Sequence, residues 1–384
     1  MNTEATTIVI AAPPISATPT IAPALNKIGE LESIRGIAAL LVVFYHIPKW
    51  NAVLDFGLIN NGYLMVELFF VISGFVIFNA YANKIAVKED LFRFQFLRFG
   101  RLYPVHLVFL LAFLGIEMLK YIAAVKLGIS SPNSKPFDAN NATAFIEHLL
   151  LVSAIIPGQP PTFNGPAWSI SVEFYTYLVF GLATLYFRKA KLLFFGAVAM
   201  LALAALFSGK TYGFDYLLRC FAGFFIGCLT SQWVGKAKLR LPTVAPVIVL
   251  AGTLLFLHFK QTTEFDLLIY FLTAALIASL VLSDDGWLKS LLNSRVLLWL
   301  GAVSYSLYMS HAAIEWVVNQ FIRVALKRPE IVGADGKSLP QLSQPETLLA
   351  VAVIAVTVLL VSAVVFNYVE KPMREKSRRL AFTK

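Results

Sequence analysis

Charge is scarce in this chain. Asp, Glu, Lys and Arg make up 14% of its 384 residues, against about 25% in a typical soluble domain. Apolar residues fill 58% of it and the mean hydropathy is +0.73, more than one buried core can absorb. A water-soluble enzyme is excluded on that ground. Cysteine is nearly absent. Cys220 and Cys228 fall in one predicted helix, about 12 Å apart along its axis, too far for a disulfide, so no disulfide framework exists. No basic stripe is interleaved with aromatics in a polar segment. The net charge of +10 therefore does not point to nucleic acid. No basic segment precedes an apolar run at the start. Residues 1–27, rich in Ala, Pro and Thr, read as a disordered tail rather than a signal peptide. There is no short internal repeat and no pseudo-symmetric pair of Gly/Pro-broken spans, which weighs against a secondary transporter. No metal site is expected.

What the sequence has in quantity is long hydrophobic runs. Ten windows stand out, near 35–53, 62–81, 104–124, 168–187, 192–208, 215–233, 243–259, 266–282, 296–318 and 345–367, each about long enough to cross a bilayer as a helix. The expected fold is an all-α, polytopic integral membrane protein of about ten transmembrane helices. A shorter apolar stretch, 143–156, ends in "IIPGQPP" and reads as an interfacial or re-entrant helix. About two thirds of the 32 Lys and Arg collect on one side if both termini are cytoplasmic, as the positive-inside rule requires. Three regions follow: the tail 1–27, a membrane domain 28–374, and a basic cytoplasmic tail 375–384.

Ionisable residues inside apolar spans are costly and mark function. Arg35 and His46 bracket "RGIAALLVVFYH". Eleven residues of helix bring them back to one face about 16 Å apart. One reading is the wall of a passage, with a cation at its cytoplasmic mouth and a titratable base deep inside. The other is a snorkelling Arg and a His satisfied by a backbone carbonyl. Glu67, in "GYLMVELFFVISGF", either orients His46 or pairs with a polar neighbour for packing. The Ser-Gly pair of "SGF" lets helices approach closely. Arg98 and Arg101, in "RFGRLYP" just before Pro104 starts the third span, share a face if helical and form a fork suited to phosphates. Glu173, in "WSISVEF", is another buried acid, accompanied by Ser169 and Ser171. Ser304, Tyr308 and His311 of "SYSLYMSH" fall on one face, either lining a hydroxyl-rich wall or gluing helices together. His106, His148 and His258 have no convergent partners in sequence and read as structural.

These stretches, in order from residue 30 to 374, resemble the membrane acyltransferase-3 family, which includes bacterial O-acetyltransferases of surface polysaccharides. The matching features are the Arg35–His46 spacing, "FFVISGF", "RFGR", "WSISVEF", "SYSLYMSH" and the C-terminal "EKP". The resemblance implies an acyl-CoA donor, acetyl-CoA first among candidates, bound from the cytoplasm of a bacterium, in whose inner membrane the protein sits. The acceptor is a hydroxyl of an extracytoplasmic or lipid-linked glycan. It implies that His46 is essential to transfer and that Arg35, Arg98 and Arg101 bind the donor. Some members carry a fused hydrolase-like domain; this chain resembles the stand-alone branch. His46 is then either a general base or a transiently acylated nucleophile, with Glu173 or Glu67 orienting its ring. Ser169, Tyr308 and His311 line the substrate. No cofactor is held tightly, and the partners expected are the donor, the glycan and membrane lipid, not nucleic acid. The rival expectation is a carrier of a lipid-linked sugar or small anion, in which Arg35 and His46 are pathway charges. The oligomeric state is not set by the sequence.

Overall fold

The computed structural model describes residues 28–129, 132–333 and 336–382. The tail read over 1–27 lies outside the described residues. Fourteen α-helices are seen among them: α1 (Gly29–His46), α2 (Gly57–Asn60), α3 (Met65–Tyr81), α4 (Lys88–Leu127), α5 (Ala142–Leu149), α6 (Trp168–Tyr186), α7 (Lys191–Ser208), α8 (Asp215–Lys236), α9 (Ala245–Phe259), α10 (Leu268–Leu282), α11 (Trp287–Leu292), α12 (Arg295–Phe321), α13 (Gln344–Val365) and α14 (Lys371–Phe382). One small antiparallel hairpin, β1 (Glu330–Val332) with β2 (Ser338–Pro340), sets Ile331 opposite Leu339.

A helix occupies each of the ten apolar windows. Six segments are long and apolar enough to cross a membrane: Gly62–Tyr81, Lys88–Leu127, Lys191–Ser208, Asp215–Lys236, Arg295–Leu326 and Gln344–Phe382. Two shorter apolar helices, α9 and α10, accompany them. The stretch 143–156 holds only the short α5, followed by turns. The basic tail 375–384 falls within α14, apart from positions 383–384, which lie outside the described residues.

The third span departs from its expected start. Pro104 does not open it. It sits inside α4, which begins sixteen residues earlier at Lys88. A proline ring normally collides with the carbonyl four residues back. The helix nevertheless runs on unbroken through Pro104. Arg98 and Arg101 are thereby helical and share a face, three residues apart.

Glycines set the closest helix contacts. A Cβ on Gly227 of α8 would lie 2.8 Å from the Phe75 amide nitrogen of α3, and one on Gly74 of α3 would overlap the Phe224 carbonyl of α8. Backbones meet there without intervening side chains, the usual way to pack helices where apolar burial gives no preference between partner and lipid. The "SGF" pair therefore does what its composition suggests. Gly36 and Gly301 do the same for α1 and α12, a Cβ on Gly36 standing 2.6 Å from the Gly301 nitrogen. A stack of Phe180, Phe195, Phe224 and Phe225 fills the space among α6, α7 and α8.

The long connection between α4 and α6 is tied down by one buried carboxylate. Glu117 accepts hydrogen bonds from Lys120 at 2.9 Å, Asn140 at 2.8 Å and the Phe137 amide at 2.8 Å. Asn164 then donates to the Met309 carbonyl at 2.9 Å, fastening the end of the connection to α12.

Candidate active site

Helices α1, α3, α4, α6 and α12 surround a cleft of about 800 Å³. Arg35, Arg98 and Arg101 line it, joined by Ser73, Glu173 and Tyr177 from α3 and α6 and by Ser169 and Tyr308 further along. The three arginines named from sequence thus converge, though they come from two helices. Arg35 is held by Glu32 one turn earlier at 3.7 Å. Arg98 donates to the Tyr81 hydroxyl at 3.2 Å and lies over the Tyr81, Phe94 and Tyr177 rings. Its Nε is buried with no partner among the described residues. Such a guanidinium retains donors for an anion entering the cleft.

Glu173 forms the polar floor. Its Oε1 accepts from the Ser73 hydroxyl at 2.6 Å and from the Tyr177 hydroxyl at 2.6 Å, and those two hydroxyls are 2.8 Å apart. Glu67 lies in a different setting. Its Oε1 takes Arg219 Nε at 2.6 Å and Arg219 Nη2 at 2.5 Å, and the Arg219 guanidinium stands 4.7 Å over the Trp168 ring. Neither carboxylate bonds His46. The expectation that one of them orients that imidazole is corrected here: Glu67 is taken up by a cation from α8, and Glu173 by two hydroxyls within its own cleft.

His46 is oriented by its own helix. Its Nδ1 lies 2.9 Å from the Val42 carbonyl. A carbonyl can only accept, so in the neutral ring Nδ1 carries the proton and Nε2 keeps its lone pair. His311 repeats the arrangement, with Nδ1 2.6 Å from the Tyr308 carbonyl and Nε2 buried without a partner among the described residues. The two rings lie 4.9 Å apart. His46 is exposed at the edge of the packed core, whereas His311 is fully buried.

His46 does not itself line the cleft with Arg35. The passage expected along one face of α1 is not seen: Arg35 lines the cleft and His46 does not. The connection bends instead through α12: the Tyr308 ring, which lines the cleft, is 5.7 Å from His311, and His311 is next to His46. Tyr308 is fixed there, donating to the Pro166 carbonyl at 2.9 Å and accepting from Ser169 at 3.0 Å.

Four groups in this region were not singled out from sequence. Ser73 and Tyr177 lie in apolar stretches where a hydroxyl carries little signal. Arg219 was recognisable as a cation within a span, needing an acid on a neighbouring helix. Glu315, one turn beyond His311, is buried with one oxygen unpartnered among the described residues. Its signal was an acid well inside an apolar window. His106 and His148 do have each other, their rings stacked at 5.9 Å with 16° between planes.

A second, wider groove of about 2300 Å³ opens between α7, α8 and α10. Leu203, Phe207 and Phe271 form apolar walls, and Tyr63, Asp266 and Arg219 line its polar part. Tyr63 connects it to the histidine pair through Tyr45, whose ring is 5.6 Å from Tyr63 and 4.9 Å from His46.

A helical bundle with an arginine-lined cleft leading to paired imidazoles is the architecture of a membrane group-transfer protein. The sequence agrees: residues 28–366 match the acyltransferase domain of the acyltransferase-3 family, and the chain belongs to that family. It is 26% identical over 383 residues to YrhL of Bacillus subtilis, whose name assigns it provisionally to peptidoglycan O-acetylation; the match covers 91% of this chain and 55% of YrhL. It is 22% identical over 384 residues to the peptidoglycan O-acetyltransferase OatA of Listeria monocytogenes, covering 90% of this chain and 56% of OatA. The acyltransferase MdmB of Streptomyces mycarofaciens is 32% identical over 172 residues, 42% of this chain and 40% of MdmB. The chain spans about half the length of these relatives. No solved structure matches it.

Proposed function

We propose that this protein is a membrane O-acyltransferase that moves an acyl group, acetyl first among candidates, from acyl-CoA to a saccharide hydroxyl. In this reading about ten helices cross the inner membrane of a bacterium, and the arginine-lined end faces the cytoplasm with both termini. The observation that carries it is the cleft itself, with Arg35, Arg98 and Arg101 at one part and Tyr308, backed by the His311–His46 pair, at another. The peptidoglycan O-acetyltransferase named among the relatives favours a cell-wall or other surface glycan as acceptor.

The chemistry follows from the tautomers. The arginines hold the donor's phosphates, and the thioester arm extends along the cleft toward Tyr308. His46, with Nδ1 tied to Val42, offers Nε2 as a base. It removes the proton from the acceptor hydroxyl as that oxygen attacks the thioester carbonyl. The C–S bond breaks, an O-acyl ester forms, and the imidazolium returns its proton to the departing thiolate. In the covalent variant Nε2 attacks the thioester first, the C–S bond breaks, and the thiolate leaves with the proton given up by the ring. The acceptor hydroxyl then opens the acyl-imidazole, its oxygen taking the acyl group and its proton returning to the imidazole. A hydrophobic acceptor carrier fits the groove between α7, α8 and α10, which reaches His46 through Tyr63 and Tyr45.

Purified full-length protein, incubated with radiolabelled acetyl-CoA and glycan fragments, tests the reading. Label should appear as base-labile ester on the glycan and vanish in His46→Ala protein that elutes and melts like the parent. Transfer by the variant at the parental rate would overturn the site assignment. No transfer to any saccharide by the parent, from any thioester, would overturn the function.

A further inference from the structure

The cleft does not end at its arginines. A vestibule of about 750 Å³ adjoins it, sharing Glu32, Arg35, Arg101, Ser304 and Tyr305 as lining. Its far wall is α14, which contributes Lys371, Arg374, Glu375 and Arg378. Five cations line the vestibule against three carboxylates. Arg101 and Arg378 are both close enough to repel Arg374. Arg374 has a 3.4 Å contact with Glu370, whose other oxygen accepts from the Ser306 hydroxyl at 2.8 Å, and Glu32 also attracts it.

These cations are held in place. Ser377 of α14 packs into the gap left by the missing side chain of Gly100 on α4, where a Cβ would overlap its hydroxyl. At the far end of α14, the Phe382 ring lies 5.2 Å from the Arg93 guanidinium. A basic helix fixed at its middle and its far end holds these cations over the cavity. Their charge exceeds that of the three carboxylates beside them, which favours entry of an anion.

We propose that α14 forms a second phosphate-binding site, in which Arg374 and Arg378 hold the nucleotide-phosphate end of the donor. Arg35 and Arg101, common to both cavities, sit at the junction. This rests on the acyl-CoA reading above and extends it: the phosphorylated nucleotide occupies the vestibule, and only the thioester arm enters the cleft. The residues concerned lie beyond 366, where the match to the acyltransferase domain ends. The donor contacts of this chain are therefore completed by a segment outside that domain.

The test compares acetyl-CoA, its 3′-dephospho form and S-acetylpantetheine as donors, with full-length protein in phosphatidylcholine vesicles. The variants are Arg378→Gln, an exposed position, and Arg374→Gln with Arg374→Lys as its conservative partner. Arg378→Gln and Arg374→Gln are each expected to raise KM for acetyl-CoA about tenfold, the worth of one charge-assisted bond. KM for S-acetylpantetheine should not move, and Arg374→Lys should recover part of the loss. Equal shifts for all three donors, or none, would overturn the proposal. So would a KM effect that appears only when phosphatidylglycerol is present, which would make the vestibule a lipid-headgroup site. Equilibrium binding of adenosine 3′,5′-bisphosphate separates this proposal from the reaction it rests on. Binding by the parent that Arg378→Gln weakens upholds the site even where no acyl transfer is seen. No binding by the parent removes it whatever the activity.

Discussion

The imidazoles of His46 and His311 lie 4.9 Å apart with their planes inclined by 54°. They come from α1 and α12, and each is steered by a carbonyl of its own helix. That shared restraint leaves both Nε2 atoms unprotonated in the neutral rings. Only His46 reaches an open surface, while His311 stands between it and the Tyr308 end of the cleft. On the proposed reading the roles divide accordingly: His46 meets the acceptor, and His311 backs it from the buried side. His46→Ala should lower turnover by about 10²- to 10⁴-fold, the usual worth of a general base. His311→Ala should lower it about tenfold with little change in donor KM. Steady-state transfer of labelled acetyl by the two variants checks this, and equal losses would make the pair a single catalytic unit.

Glu67 is engaged by a cation and not by His46, and on the proposed reading it serves the architecture. Its carboxylate and Arg219 form a short ion pair beneath Trp168, with Glu67 almost fully buried. Removing one partner strands the other in a low-dielectric site, at about 3–5 kcal/mol. Glu67→Gln and Arg219→Met should each lower the melting temperature of the purified protein markedly. The double variant should recover part of the loss, since both charges are then gone. A Glu67→Gln protein with normal stability and no activity would return Glu67 to the catalytic set.

Glu173 is expected to act differently. Its two short hydrogen bonds from Ser73 and Tyr177 lie in the cleft, and bonds to a charged acceptor are worth about 1.5–3 kcal/mol each. Tyr177→Phe removes one of them and the cleft's hydroxyl at that point, so kcat/KM for the donor should fall about tenfold or more. Ser73→Ala should do the same to a lesser degree. Thermal denaturation beside the kinetics tells a reshaped cleft from an unfolded bundle.

Much of this was legible in the sequence because hydrocarbon run length and helix periodicity are strong signals in a membrane chain. All ten windows hold helices, and Arg35, Arg98 and Arg101 meet at one cleft. The failures were of partner choice. Glu67 and Glu173 were both in reach of His46 along the sequence pattern, but rotation of α3 and α6 about their axes decides which neighbour each carboxylate faces. Arg35 and His46 share a face of α1 by periodicity, yet only Arg35 lines the cleft, because the neighbouring helices decide where along that face a cavity opens. Pro104 looked like a helix start, yet α4 begins sixteen residues before it and runs through it. The helix α14 looked like basic tail because its few apolar positions hide that Ser377 fits against a glycine.

The α3–α8 contact makes a further prediction. Gly74 and Gly227 face backbone rather than flexible side chains, so neither site can yield. Gly74→Val and Gly227→Val should each prevent folding into the membrane, seen as loss of monodisperse protein on extraction. Gly196→Ala, where an added Cβ meets nothing within 4 Å, should express like the parent.

His148 gives the bundle a pH dependence of its own. It is 2% exposed, stacked on His106, and its Nε2 is 3.0 Å from the Thr162 hydroxyl. Burial first, and then the neighbouring His106, push it down to about 4 from the ordinary value near 6.5. Above about pH 6.5 the ring is neutral folded and unfolded, and it contributes no pH dependence. As pH falls from there toward 4, the unfolded chain binds a proton that the folded one refuses. Stability is then lost progressively, by about 3 kcal/mol once pH is below the folded value. The melting temperature should therefore drop between about pH 7 and about pH 4.5, and His148→Gln, which cannot titrate, should flatten that part of the curve. An identical slope for His148→Gln and the parent would show that the connection between α4 and α6 is not held by a neutral His148.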